Sequence, residues 1–126
     1  MPIRYTIDKE RRLVISTGEG GITYDEIRNH QMRLVKDLDF DASFNQLIDL
    51  TGAASLEISG KEAVVIAQQP IFSNSSRRAF VASKPAIFGM GRLMQVYQER
   101  HAQVHIFHDL DSARKWLGLG EEEKKP

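Results

Sequence analysis

Residues 47–67 (LIDLTGAASLEISGKEAVVIA) constrain the fold more than any other part of this chain. The apolar run of Leu47, Ile48 and Leu50 is too short for a helix and suits a strand buried on both faces of a parallel sheet. The residues that follow predict a loop over 54–60. Ser59 precedes Glu62 by three positions, the spacing at which the two side chains cap the start of a helix. A largely buried helix is therefore predicted from there to about residue 69.

The N-terminal segment predicts a β-hairpin. Ile3, Tyr5 and Ile7 alternate with polar residues, a charged turn follows over 9–11, and residues 13–15 are apolar again. Glycines at 18, 20 and 21 are expected to break the second strand. Thr23 and Glu26 then repeat the capping-box spacing, so a helix begins there and ends before residue 39. Its apolar positions recur at helical spacing and are expected to face the sheet: Ile27, Leu34, Val35 and Leu38.

The second half of the chain continues the alternation of strands and helices. Residues 78–82 (RAFVA) predict a buried strand, and Pro85 suits the first turn of a helix that runs to about residue 100. Residues 104–107 predict the last strand. Asp109 or Asp111 can cap a final helix, which Gly118 ends. This order predicts a parallel core with the antiparallel hairpin at one edge, covered by about four helices.

Composition limits the possible functions. The 126 residues fit one domain, assigned to 1–119, and the charged residues 120–126 predict a disordered tail. Because there is no cysteine, neither a disulfide nor a thiolate site can form. Seventeen basic residues balance seventeen acidic ones, which argues against a general nucleic-acid surface. With no apolar leader and no stretch long enough to span a membrane, a cytoplasmic protein without a transmembrane segment is expected.

The motifs resemble a known family. A strand, Asp-Leu-Thr-Gly, six residues, Ser-Gly and an apolar helix are similar to STAS domains of the sporulation anti-sigma-factor antagonist type. Residues 1–119 more closely resemble the SpoIIAA-like group of small bacterial STAS-related proteins. The supporting segments are IRYTID at 3–8, the helix from Thr23, FNQLIDL at 44–50, RRAFVA at 77–82, and Phe107 and Asp109 before WLG at 116–118.

The resemblance implies an α/β fold of the STAS/SpoIIAA-like type and a binding or regulatory role without catalysis. In regulated STAS antagonists the turn before the second main helix reads Asp-Ser-Ser-Gly, and its first serine is the kinase target. The matching residues here are Glu57, Ile58, Ser59 and Gly60. Ile58 has no hydroxyl to phosphorylate. Ser59 has two interpretations, a helix cap or the site of a phosphate held at the helix N-terminus.

Other patterns are weighed against ordinary structural roles. The glycines at 18–21 lack the spacing of a phosphate-binding loop. His101, His105 and His108 cluster in sequence, and such a cluster could bind zinc or serve acid–base chemistry. Positions 105 and 108 point to opposite faces of a strand, so surface or strand-end histidines are the expected interpretation. Asp49 suits a turn or cap, with an active-site role as the alternative. Arg77 and Arg78 suit a solvated basic loop, with an acidic partner or a phospholipid headgroup as the alternative. Since no nucleophile elbow is present, the protein is predicted not to be an enzyme and to need no cofactor.

The helix that starts at Pro85 is the strongest candidate for a binding site. Its predicted core face comprises Ala86, Ile87, Met90, Leu93, Met94 and Tyr97. Phe88 and Val96 lie outside this arc, and Gly89 and Gly91 indicate either close packing or local mobility. Methionines adapt to varied ligand shapes. The predicted ligand-binding residues are Phe88, Met90, Met94, Tyr97 and Phe72.

The sequence thus predicts a non-catalytic STAS-like module that binds a small hydrophobic or lipid-like molecule near the Pro85 helix. The alternative is a protein-interaction module of a bacterial regulatory pathway, which would dock through the 54–60 loop and Ser59. A homodimer is left open. A closed apolar cavity would favour carriage of a ligand, and a flat exposed patch around Ser59 would favour docking.

Overall fold

The computed structural model describes residues 2–98 and 103–120. Five strands and four helices follow one another in the order β1 (Ile3–Asp8), β2 (Leu13–Thr23), α1 (Tyr24–Lys36), β3 (Asn45–Glu57), α2 (Gly60–Ala67), β4 (Arg77–Val81), α3 (Pro85–Gln98), β5 (Gln103–Phe107) and α4 (Leu110–Trp116). The predicted tail beyond residue 120 and the predicted end of the third helix near residue 100 lie outside the described residues.

The strands form one mixed sheet in the order β1-β2-β3-β4-β5. β1 and β2 pair antiparallel, and each later strand pairs parallel with its neighbour. The hairpin therefore lies at one edge and the parallel units follow, as the sequence predicts. The parallel connections run through α1, α2 and α3, which is the usual way to join parallel strands.

β2 continues through its glycines, so the prediction that they break the strand was wrong. The pairing with β3 shifts register between Thr17 and Glu19 and again between Gly20 and Gly21, which absorbs the irregularity as bulges. Gly20 has φ +67°, a conformation that glycine adopts without steric cost. A Cβ at Gly18 would lie 2.6 Å from Ile22 Cδ1, so this position requires close approach of the chain.

β3 is longer than predicted. The residues expected to form a loop from position 54 continue the strand to Glu57, where they pair with the C-terminal half of β2. The small residues in this segment have low strand propensity, so the sequence did not indicate a strand there. Hydrogen bonding to the backbone of β2 holds the segment extended.

All three predicted N-caps are confirmed. Thr23 and Glu26 form a reciprocal capping box at α1, and Ser59 and Glu62 form another at α2. Asp109 caps α4 by accepting from the backbone N–H of Ser112. α2 ends at Ala67, slightly before the predicted residue 69.

α1 faces the sheet with a different set of residues from the one predicted. His30, Gln31 and Leu34 are its buried residues, whereas Val35 is 57% exposed. The helix ends at Lys36, so Leu38 lies beyond it and is fully exposed. The prediction for Val35 and Leu38 was wrong because it followed hydrophobicity and passed over two polar residues at inward positions.

The two faces of the sheet are covered unequally. α1, α2 and α3 pack on one face, where Ile48, Ile66 and Ile87 contribute to the core. α4 covers the other face by packing Ala113 and Leu117 against β2, β3 and β4. Among the described helices, none is long and apolar enough to cross a membrane. The interior under α1–α3 is where the polar residues of the next section lie.

Candidate functional site

Four polar side chains form a hydrogen-bonded row in the core between the sheet and α1. Arg78 Nε donates to Gln46 Oε1 at 2.8 Å, and Gln46 Nε2 donates to Ser16 Oγ at 2.9 Å. Ser16 Oγ lies 2.9 Å from His30 Nε2. All four residues are buried. We call Arg78, Gln46, Ser16 and His30 the buried polar row.

Strand alternation places this row. Side chains at even-numbered positions of β2, β3 and β4 point toward α1, so Ser16, Gln46 and Arg78 share one face. Gln46 and Arg78 are direct register partners on neighbouring strands. The row therefore crosses three adjacent strands and ends on α1 at His30. The rings of Tyr5 and His30 pack edge to face, with their centroids 5.4 Å apart.

Burial lowers the pKa of the residue at each end of the row. Desolvation, with smaller contributions from the charges of Arg33 and Arg78, lowers the pKa of His30 to about 4. His30 is therefore neutral at pH 7. Desolvation also lowers the pKa of Arg78 to about 10, which leaves the guanidinium charged at pH 7. The guanidinium carbon lies 4.5 Å from the ring centroid of Phe72, a cation–π geometry.

A cavity of about 70 Å³ lies against the buried polar row. All four members of the row line it, and so does Gln31 of α1. The rest of the wall is largely apolar and includes Ile66 of α2, Leu56 of β3, Phe80 of β4 and Met94 of α3. The cavity wall thus combines the buried polar row with apolar side chains from the sheet, α2 and α3.

A surface groove adjoins this cavity. The α1 groove has a volume of about 250 Å³ and is lined by Arg28, Gln31, Met32, Val35, Lys36, Gln69 and Ile71. Gln31 and Ile71 line both the groove and the cavity. Gln31 accepts from Arg28 at 2.6 Å and donates to the backbone carbonyl of Ile66 at 3.1 Å, so it ties α1 to α2 between the two spaces.

The structure brings two of the five predicted ligand-binding residues together. Phe72 and Met94 both line the cavity. Met90 is half-buried against the α2–α3 packing. Phe88 stacks on His108 with the ring centroids 4.0 Å apart, and Tyr97 is 43% exposed. The five predicted residues thus do not form one site, and the two that line the cavity are Phe72 and Met94.

The predicted core face of α3 was partly wrong. Ile87 and Met94 are buried, but Ala86 and Leu93 are exposed, as is Tyr97. The buried stripe passes instead through Gly91, where an added Cβ would lie 3.2 Å from Ile106 Cδ1. Close packing thus accounts for one of the two glycines in this helix.

The predicted docking residues form a helix start. Ser59 Oγ accepts from the backbone N–H of Glu62 at 3.1 Å, and Glu62 Oε1 accepts from the Ser59 N–H at 2.9 Å. Ile58 is half-buried and packs against α2 and α3. Glu57 and Gly60 are exposed. The cap interpretation of Ser59 explains the contacts of its side chain.

The remaining candidates separate in space. His105 packs on Trp116 at 4.6 Å, His108 stacks on Phe88, and His101 lies outside the described residues. No group of three potential metal ligands occurs among residues 2–98 and 103–120. Asp49 accepts from the backbone N–H and the hydroxyl of Thr51, which is a local role.

The prediction of a solvated basic loop was wrong, because Arg77 and Arg78 both lie in β4 and only Arg77 is exposed to solvent. Arg77 is exposed and donates to the backbone carbonyl of Trp116, whereas Arg78 is buried in β4 on the opposite face. The alternation of the RAFVA segment already places Arg78 with Phe80, and this signal could have identified it as an inward residue. On α1, the spacing of Ile27, His30, Gln31 and Leu34 (i, i+3, i+4, i+7) gives a similar signal for the two polar residues.

Comparison with known proteins defines the fold class. No known protein-family profile matches the chain, and no curated protein matches it. An uncharacterised protein of the DUF3478 family from Shewanella loihica PV-4, which has a SpoIIAA-like fold, aligns over 91% of this chain and 93% of its own, with a TM-score of 0.61 and 17% identity. The chain therefore has a SpoIIAA-like α/β fold, which confirms the predicted architecture and the resemblance.

Proposed function

We propose that this protein is a non-catalytic binding protein for a small molecule with an apolar body and one polar group. The ligand occupies the cavity between the sheet and α1–α3. The observation that carries the proposal is a mostly apolar cavity that is also lined by the buried polar row. Apolar pockets with a few convergent polar groups are the usual form of small-molecule sites.

The cavity sets the size of the ligand. A water-sized group needs about 10–15 Å³ of such space, so about 70 Å³ accommodates roughly five or six non-hydrogen atoms. A long lipid chain exceeds this space. We therefore propose a smaller hydrophobic ligand than the lipid-like molecule predicted from the sequence. The proposed site is lined by Met94 and Phe72 and does not include Phe88.

The α1 groove supports a route of access. Gln31 and Ile71 line both the groove and the cavity, and Ile71 is a half-buried residue in a segment without regular secondary structure. Displacement of these two side chains would widen the connection between the cavity and the groove without unfolding a strand. On this route Gln31 would move away from the Ile66 carbonyl, to which it donates a hydrogen bond.

Ser16 and His30 have the separation of a nucleophile and its base, yet the contacts of Ser16 favour binding over catalysis. Gln46 Nε2 donates to Ser16 Oγ, and this hydrogen bond reduces the electron density available for attack on a substrate. Ser16 is also in the middle of β2, 2% exposed. We therefore propose that the protein is not an enzyme. Docking of a regulatory protein at Ser59 remains a prediction without a supporting contact.

A methyl NMR titration tests the proposal. Protein labelled at the methionine methyl groups reports on Met94 in the cavity, and on Met32, which is 50% exposed on α1. The probe is 1-butanol, which has an apolar body and one hydroxyl. We expect a saturable shift of the Met94 signal with the Met32 signal unchanged.

Two variants on α2 form a matched pair for this titration. Ile66→Phe fills the cavity and should abolish the Met94 response, whereas Val65→Phe makes a similar change at the adjacent, 39% exposed position and should preserve it. Thermal unfolding checks that both variants fold. An unresponsive Met94 in the wild-type protein, or equal responses in both variants, would contradict the proposal.

A further inference from the structure

The α1 groove carries apolar side chains that the core does not use. Met32 is 50% exposed and Val35 is 57% exposed, although both are large apolar residues. They are three positions apart on α1, so they are neighbours on one face of the helix. Ile71, in the segment after α2, lines the same groove. Exposed apolar side chains that adjoin one another mark interaction sites more often than scattered ones do.

The charges of this groove have one sign. Arg28 and Lys36 are the lining residues with a formal charge at pH 7, and both are basic. None of the ion pairs described for residues 2–98 and 103–120 involves either side chain. The carboxylate that follows Lys36 in the chain, that of Asp37, accepts instead from the Tyr5 hydroxyl at 2.8 Å. The groove therefore offers a partner two basic groups that have no carboxylate of their own in the described part of the chain.

The two basic residues flank the apolar pair. Relative to Arg28 at position i of α1, the other three residues stand at i+4, i+7 and i+8, so they form one stripe along the helix: Met32, Val35 and Lys36. From the first to the last of them α1 rises about 12 Å, since each residue adds about 1.5 Å. This distance is about two turns of a second helix. The stripe thus complements a helix that has apolar residues in its middle and a carboxylate toward each end.

We propose that the α1 groove docks an acidic amphipathic helix of a partner protein. The apolar residues of that helix pack on Met32, Val35 and Ile71, and its carboxylates pair with Arg28 and Lys36. Because the contact extends over about two helical turns, it is small and reversible. The inference goes beyond the proposed function and does not depend on it, since Met32, Val35 and Lys36 do not line the cavity.

An anionic membrane surface fits these residues less well. Attachment to anionic lipid uses clusters of about four to eight basic residues, whereas the groove has Arg28 and Lys36. Each basic residue near such a surface raises the affinity about fivefold, so these two would contribute only about thirtyfold. A protein helix adds apolar contact inside the groove to the same charge pairing, and this favours a protein partner.

Three synthetic peptides test the inference. Each is an alanine-based helix of about 18 residues with two leucines one turn apart, and the residue about one turn beyond them on either side is glutamate, glutamine or lysine. Each peptide is titrated into methionine-labelled protein at pH 7, and the methyl signals of Met32 and Met94 are followed. We expect Met32 to respond and Met94 to stay unchanged.

The order of the three affinities reports the charge pairing. Two exposed ion pairs should make the glutamate peptide bind about twofold to thirtyfold more tightly than the glutamine peptide, and the lysine peptide should bind most weakly. The preference should shrink in about 1 M salt, where the screening length falls to about 3 Å.

Two lysines on opposite faces of the sheet provide the matched variants. Lys36→Glu leaves one basic and one acidic residue in the groove, so it should cancel the preference for glutamate over lysine. Lys115→Glu makes the same change at an exposed position of α4 and should leave the preference intact. Val35→Ala removes apolar surface from the groove and should weaken the binding of all three peptides.

The wild-type protein decides the inference even if a variant does not fold. Equal affinities for the three peptides, or a response of Met94 without Met32, would overturn docking at this groove. A Met32 response to phosphatidylglycerol vesicles and to none of the peptides would assign the surface to a membrane and overturn the protein partner. Dimerisation in sedimentation equilibrium that Lys36→Glu abolishes would assign it to a second copy of the chain. The 1-butanol titration of Met94 tests the cavity separately, so failure of one proposal is distinguishable from failure of the other.

Discussion

Acidification should destabilise this protein through His30 well before its carboxylates are protonated. The pKa of His30 is about 4 in the folded protein and about 6.5 in the unfolded chain. Between these values the unfolded chain binds a proton that the folded protein does not. The free energy of unfolding must therefore fall as the pH falls from about 6.5 to 4.

The size of the effect follows from the two pKa values. Linkage predicts a loss of about 2 kcal/mol between pH 7 and pH 5, and about 3 kcal/mol by pH 4. His30 is 7% exposed, so solvent screening reduces this figure little. Carboxyls with lowered pKa, those of Asp37, Asp41 and Asp109, add to the loss only as the pH approaches their usual value of 3.8, at the acidic end of this interval.

Urea unfolding at a series of pH values measures this loss. His30→Gln stays neutral at every pH and can still hydrogen-bond to Ser16, so it should be less stable at pH 7 but lose much less stability between pH 7 and 5. His108→Gln is the matched control, because it removes an exposed imidazole from the surface. Parallel pH curves for the wild-type protein and His30→Gln would refute the reasoning.

Three further predictions concern stability, each measured by urea unfolding at pH 7. Ser16→Ala leaves the Gln46 amide and the His30 ring without their described partner and should cost about 1–3 kcal/mol. Ser59→Ala removes the α2 cap and should cost about 1 kcal/mol, with no loss implying that Ser59 does not act as a cap. Gly89→Ala, in open space on α3, should add about 0.5–1 kcal/mol, whereas Gly91→Leu should cost about 1–3 kcal/mol by overpacking against Ile106.

Controls make these outcomes specific. Ser75→Ala removes a hydroxyl from an exposed loop and should change the free energy of unfolding by less than about 0.5 kcal/mol. A Ser16→Ala variant as stable as Ser75→Ala would contradict the buried polar row. Equal effects of alanine at Gly89 and leucine at Gly91 would contradict the described packing of α3.

Local signals made much of the fold predictable. The capping boxes at Thr23 and Ser59 and the cap at Asp109 depend on residues three positions apart, so the sequence alone specifies them. The extension of β3 to Glu57 depends instead on pairing with β2, which a local pattern of small residues does not reveal. Long-range pairing thus explains the main error in the strands.

The candidate site was predicted less well. The sequence predicts Phe72 and Met94 among the ligand-binding residues, Met94 as an adaptable apolar side chain, and both line the cavity. The polar members of its wall were missed because polar side chains were taken to mark exposed positions. Arg78 donates a hydrogen bond to Gln46 on the adjacent strand, so each buried polar group has a partner. This pairing can be recognised only once the strand order and register are known.

A crystal structure of the protein as purified, and again after soaking with 1-butanol, tests the proposed ligand site most directly. We expect electron density for a compact organic molecule between the sheet and α1–α3, in contact with Met94 and with its polar group at the buried polar row. A cavity that has collapsed, or that holds only ordered waters bridging the buried polar row in both crystals, would contradict the claim that this is a ligand site.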